Sequence, residues 1–386
     1  MAATPLFDSF FLAGFECSTH RRKDGLRLDL IRATGHDDHA RRDYESCAAL
    51  GIRSARDGLR WHLIERSPGV YDWSSWIPML EAAAAAGVQA IWDVLHYGSP
   101  DWLRQGDAEF IPAFARFAAE AVRVHKSVTG AAPILCPINE ISFFTWAVRS
   151  GYFPVAASSE HGVFKRHLVR AAIAGIEAMR AVDPGCRFIT AEPLIHVAAT
   201  RDAGESERRN AEERRLSQYE AVDMLLGLCE PELGGRPDLI DAIGLNYYPN
   251  NQWYFEGSTI PLGHHDYRPL AAMLAEAAER YGKPVFLSET GAEGSARPAW
   301  LHYVCGEVRE AMAHGVDVAG ICLYPVTAYP GWDNMRHAEV GLFTTILSDG
   351  ARAVYRPLAD ELERQQRLFG DAQQKDARAA SPGALS

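Results

Sequence analysis

Eight short apolar runs, separated by longer stretches of helical periodicity, limit what this 386-residue chain can become. The runs are FFLAGF (10–15), GIRSAR (51–56), VQAIWDV (88–94), PILCPI (133–138), CRFITA (186–191), LIDAIGLN (239–246), PVFLSE (284–289) and VAGICLY (318–324). Amphipathic or alanine-rich segments lie between them, at 37–50, 74–86, 108–127, 160–182, 208–229, 269–281 and 298–314, and a last one follows near 355–368. Gly or Pro stands just past several helix ends, in ALGIR, AAGVQA, DPGCRF, YGKPVF and AHGVDV, where these residues stop a helix and turn the chain back. Strands alternating with helices are the pattern of βαβ units and a parallel sheet. Eight such units in a chain of this length predict an α/β fold of the closed (β/α)8 type, the TIM barrel. A doubly wound open sheet is the alternative, but no GxGxxG or GxxxxGK[ST] loop is present to hold a nucleotide. The reading is one domain over residues 1–370, with a polar tail, DAQQKDARAASPGALS (371–386), expected to be disordered.

Composition removes other classes. A net charge of −11 argues against an extended nucleic-acid surface. No stretch is long and apolar enough to span a bilayer, so no membrane association is expected. The apolar FFLAGF lacks a basic flank and reads as a first strand, not a secretion signal. Seven cysteines, at 17, 47, 136, 186, 229, 305 and 322, show neither CxxC spacing nor a disulfide framework. That usage suits a reducing, cytoplasmic setting, and no structural metal or cofactor is expected.

In a barrel of this type the C-terminal strand ends form the active face. Those ends carry Glu16 and His20; Arg56, Arg60 and Trp61; Asp93, His96 and Tyr97; Asn139 and Glu140; Glu192 and His196; Asn246, Tyr247 and Tyr248; Glu289; and Tyr324 with Trp332 and Asp333. Aromatic rings stack on the C–H face of a sugar while polar groups take its hydroxyls, so a small carbohydrate or glycoside is the expected partner. Glu140, in ILCPINEISFFTWA (134–147), ends a buried run beside Phe143, Phe144 and Trp146, a setting that raises a carboxyl pKa. Glu289 ends the seventh run, on the opposite side of an eight-stranded barrel. Two carboxylates facing each other are what glycoside hydrolysis needs, and Arg56 is placed to hold one of them ionised.

These same segments resemble the clan A retaining β-glycosidases, and most nearly glycoside hydrolase family one, the β-glucosidase and β-galactosidase family. ARDGLRW (55–61) is similar to its YRFSISW, LHYGSPDWL (95–103) to LHHWDLPxWL, PINE (137–140) to TxNE, DAIGLNYY (241–248) to DFIGLNYY, and FLSETGAEG (286–294) to its I-T-E-N-G strand. The resemblance implies Glu140 as acid/base and Glu289 as nucleophile. It implies support from Arg56, Asn139 and Tyr248, and sugar contacts from His96, Asn246, Tyr324 and Trp332. It runs in order from about residue 8 to 368.

Departures concern sugar recognition. The family's opening segment carries a Gln that grips the sugar, whereas GFECSTHRRKDG (14–25) has none, leaving Glu16 or Arg21 to replace it. The family's WSLLDNFEW segment gives way to LYPVTAYPGWDN (323–334). A narrow pocket is therefore expected, lined by His96, Tyr248, Tyr324 and Trp332. Two other functions compete with an exo-acting retaining glycosidase. One is a metal-dependent hydrolase using Asp93, His96 and His196, although a bridging lysine and an HxH at the first strand end are missing. The other is a barrel that binds sugar without cleaving it. HDDH (36–39) reads as the acidic start of a helix, and GESERRNAEERRLSQYE (204–220) as a solvated helix face or lid.

Overall fold

The computed structural model describes residues 5–379 except 156–159, 161, 333 and 335. Its main sheet runs β1 (Phe11–Gly14), β2 (Ser54–Gly58), β3 (Gln89–Leu95), β4 (Ile134–Ile138), β5, β6 (Ile243–Asn246), β7 (Val285–Thr290) and β8 (Val318–Leu323). All pairings within it are parallel, and β8 returns to β1 through Leu12↔Cys322. The fifth strand is split. Arg187–Phe188 pairs with β4 and Glu192–Pro193 with β6, while an Ile189↔Ala242 bridge lies between. One chain segment therefore bonds to both neighbours in turn, and the curled sheet is a TIM barrel.

The expected strands all appear, with shifted ends. The second begins at Ser54 rather than Gly51, because the amides of Leu50, Gly51 and Ile52 are used to close the preceding helix onto Cys47 and Ala48. Around the sheet lie α1 (His36–Ala49), α2 (Ile77–Ala86), α3 (Phe110–Thr129), α4 (Val163–Val182), α5 (Glu220–Leu225), α6 (Leu270–Tyr281), α7 (Arg297–Ala313) and α8 (Arg356–Ala379). The helix expected over 208–229 is instead two, Glu205–Leu216 and α5, with a break at 217–219. Helix α8 continues to Ala379, through the first part of the tail expected to be disordered; residues 380–386 lie outside the described residues.

Two apolar layers hold the barrel. The larger lies between strands and helices and includes Trp61, Trp76, Trp92, Phe114 and Phe117, all nearly inaccessible. The smaller fills the barrel bore with Leu12, Ile91, Ile134, Cys136, Ile189, Phe286 and Cys322. Side chains alternate along a strand, so the bore positions climb from Ile91 to Asp93, from Ser54 to Arg56 and from Phe286 to Ser288. The interior is thus apolar below and charged towards the mouth. Gly14 belongs to this upper layer: a Cβ there would lie 2.2 Å from the Tyr324 ring, so only glycine lets that ring cross β1.

All seven cysteines are unpaired. The HDDH segment opens α1, with Asp37 and Asp38 in its first turn, but His36 turns inward and bridges Asp43 and Asp57 at 2.8 Å each. Among the described residues, no helix is long and apolar enough to cross a membrane.

Candidate active site

Residue Glu140 follows β4 at φ 43°, ψ 62°, a left-handed conformation that a side-chain-bearing residue rarely adopts. Its amide donates to the Ala191 carbonyl at 2.8 Å. The helix Ile141–Arg149 starts immediately afterwards, and the Glu192 carboxylate caps it, accepting from the amides of Ile141 (2.6 Å) and Ser142 (3.0 Å). Burial pushes the Glu192 carboxyl up to about 7, against the effect of those donors. Tyr97, after β3, is also left-handed at φ 66°. Two strained residues meet here: the Tyr97 hydroxyl donates to Glu140 Oε2. Asn246 Nδ2 donates to Glu140 Oε1 at 2.9 Å. Burial, and after it the negative charge of Glu289, push the Glu140 carboxyl up to about 8.

Glu289, on β7, is held at both oxygens. Arg56 Nη1 donates to Oε1 at 2.6 Å and the Tyr248 hydroxyl to Oε2 at 2.8 Å. Arg56 is itself fixed by Asp93, through Nε–Oδ1 at 2.9 Å and Nη2–Oδ2 at 2.7 Å, and by the Asn139 side-chain oxygen. Asn139 Nδ2 lies 3.1 Å from His96 Nε2 and donates to the Tyr97 hydroxyl at 2.9 Å. His96 Nδ1 lies 2.8 Å from Asp93 Oδ2. Burial would raise the Asp93 carboxyl, but Arg56 and His96 hold it below its usual range. Ser288 Oγ donates to Asn246 Oδ1 at 2.6 Å. One network therefore runs from the floor of the mouth to both carboxyl groups, and each member has its partner within the set.

A cavity of about 910 Å³ opens above them. It is broad rather than narrow, since the loops after β4 and β5 form its outer wall as well as the residues expected. Glu16, His96, Tyr248, Tyr324 and Trp332 all line it together with Glu140 and Glu289, while Arg56, Asn139 and Asn246 are buried among the groups just described. Arg21 does not line it. Its guanidinium is drawn outward to Asp101 and the Gly25 carbonyl, both at 2.7 Å, so Glu16 is the residue of that segment at the site. Burial raises the Glu16 carboxyl, with His96 opposing and Glu289 adding to the shift. The Tyr324 hydroxyl is buried on this wall without a hydrogen-bond partner, while the Trp332 indole lies against the Glu16 carboxyl and works to lower it.

His20 packs behind the wall, its ring 4.4 Å from Phe153 and 4.9 Å from Trp332, with burial pushing it down to about 3. His196 lies outside the cavity, in the strand His196–Ala198 that pairs with Gln252–Tyr254. Among the described residues, the His, Cys, Asp and Glu groups close enough to share a metal ion are Cys17–Asp93–His96 and His264–His265–Asp266. Neither contains His196, and in the first Asp93 already serves Arg56 with both oxygens. From sequence, Tyr97 had no role, and Asp93 only that of a metal ligand in the competing hydrolase. Asp93 lies within β3 and Tyr97 just after it, and their position at that strand's C-terminal end was the available signal.

No protein-family model matches the sequence, and no curated protein does. Solved structures match along nearly the whole chain. A hyperthermophilic β-glucosidase mutant is 16% identical with a TM-score of 0.72, covering 93% of this chain and 100% of the other. A β-glycosidase from Pyrococcus horikoshii is 16% identical with a TM-score of 0.69, covering 86% and 85%. The family 1 β-glucosidase from Thermotoga maritima is 15% identical with a TM-score of 0.69, covering 87% of each chain. The fold is that of the β-glycosidase TIM barrels. At this identity the likeness extends to architecture, and the chemistry rests on the site itself.

Proposed function

We propose that this protein is a retaining exo-β-glycosidase acting on a small glycoside or oligosaccharide. The observation that carries the reading is the unequal pair in one cavity: Glu140, with its carboxyl raised to about 8, and Glu289, bound by a guanidinium. The first is set to hold a proton at neutral pH, and the second accepts hydrogen bonds from Arg56 and Tyr248. Glu289 attacks the anomeric carbon while Glu140 gives its proton to the leaving oxygen, which departs as an alcohol. Glu140, now a carboxylate, takes a proton from water, and the hydroxide displaces Glu289 to release the sugar with its configuration retained. Tyr248 holds the nucleophile, and Glu16, Tyr324 and Trp332 on the opposite wall meet the sugar. A sugar-binding barrel without hydrolysis would be expected to lose one carboxylate of the pair, and here both line the cavity. A cytoplasmic location, favoured by the unpaired cysteines, belongs to the same reading.

A panel of chromogenic β-glycosides tests it, with Glu289→Gln as control. Hydrolysis lost in the variant and a β-configured first product by NMR are expected. An α-configured first product would mean an inverting enzyme, and activity abolished by a chelator would restore the metal-dependent reading.

A further inference from the structure

The charged helix Glu205–Leu216 does more than cover the barrel. Its Arg214, with Ser217 and Gln218 just beyond, lines the outer part of the cavity. The Arg214 guanidinium makes no hydrogen bond or ion pair among the described residues. The carboxylate it feels is Glu220, which Lys165 Nζ already binds at 2.6 Å, and Arg149 adds a second guanidinium to the same neighbourhood. The other rim acid, Glu293, is taken by Arg336. Positive charge is therefore in excess at one side of the mouth of a protein whose net charge is −11. The wall between Arg214 and Glu140 is aromatic: the Phe143 and Trp146 rings pack tilted with centroids 5.5 Å apart, and Trp146 is left 44% exposed.

Position decides which part of a substrate would meet this charge. Glu140 follows β4 and Arg214 follows β5, so both belong to the same side of the barrel. Glu16, Tyr324 and Trp332 follow β1 and β8. The proton donor faces the leaving group, so a group that Glu140 protonates as it leaves the anomeric carbon would lie along Phe143 and Trp146, towards Arg214. We propose that the outer cavity takes an aromatic leaving group bearing a carboxylate, with the ring on the Phe143–Trp146 wall and Arg214 as counter-ion. This rests on the glycosidase reading given above.

Calorimetry with the intact protein separates the two. The probes are p-hydroxybenzoate, the acid itself as released product, and its uncharged twin p-hydroxybenzamide. An accessible ion pair predicts that the acid binds roughly fivefold tighter than the amide. In Arg214→Met that ratio should fall to about one, through weaker binding of the acid and not tighter binding of the amide. Equal affinities, no binding of either probe, or a preference that persists in Arg214→Met overturns the inference. None of these outcomes touches the glycosidase reading, which stands or falls on the glycoside panel.

Discussion

Tyr97 joins the proton donor to the rest of the network, because its hydroxyl donates to Glu140 and accepts from Asn139. That bond is among the influences that lower the Glu140 carboxyl, against the burial and the Glu289 charge that raise it to about 8. The acid form of Glu140 persists below that value, so kcat/KM on unactivated glycosides should fall as pH rises through about 8. Tyr97→Phe removes one lowering influence and should move this alkaline limb to higher pH. It should also reduce kcat/KM by about tenfold to a hundredfold, the worth of one hydrogen bond to a charged group. A pH–rate profile reads both, and an unmoved limb with full activity would remove Tyr97 from the mechanism. Single residues were also where the sequence misled. Arg21 matched by position, but Asp101, eighty residues away, holds it outward, and no local pattern announces such a competitor.

At the scale of elements, the eight strands and their helices were legible because burial imposes apolar runs and Gly or Pro marks helix ends. The break at 217–219 and the split of β5 were not, since both arise from how the closed barrel seats its parts. Glu192 shows the difference. From sequence it was one more acid at a strand end; in the fold its carboxylate caps the helix Ile141–Arg149 and sets the turn that carries Glu140. Glu192→Ala leaves the amides of Ile141 and Ser142 without their acceptor and should cost about 1–3 kcal/mol, seen as a lower urea midpoint, with activity falling as well. Glu192→Gln keeps one acceptor and buries no charge, so it should cost less. Equal stability of wild type and the alanine variant would show that the cap contributes nothing.

The whole molecule carries a pH dependence of its own. His36 sits between Asp43 and Asp57, and Arg352 reaches Asp43 from the chain's C-terminal hairpin at 2.8 Å. Burial alone would lower the imidazole, but the two carboxylates push it up to about 9. A folded value above the unfolded one of about 6.5 means stability that is fully present below the latter and lost as pH rises through about 9. Thermal melts should therefore show Tm falling between neutral pH and pH about 10. Raised Glu140 and Glu192 contribute slopes of the same sign. His36→Gln isolates the histidine: its melts should depend less steeply on pH, and a slope equal to wild type would contradict the assignment.

The split fifth strand has a mechanical consequence. A barrel is only as rigid as its least regularly paired joint, and here that joint is the segment bridging β4 and β6 around Ile189–Ala191. The amide of Glu140 is fastened to it, through the Ala191 carbonyl. Glu289 rides on the far wall, on β7. Breathing of the seam would therefore alter the spacing of proton donor and nucleophile directly, without any lid or loop moving, and the exchange rate of a single backbone hydrogen, that of Glu140, would report how often the cylinder opens.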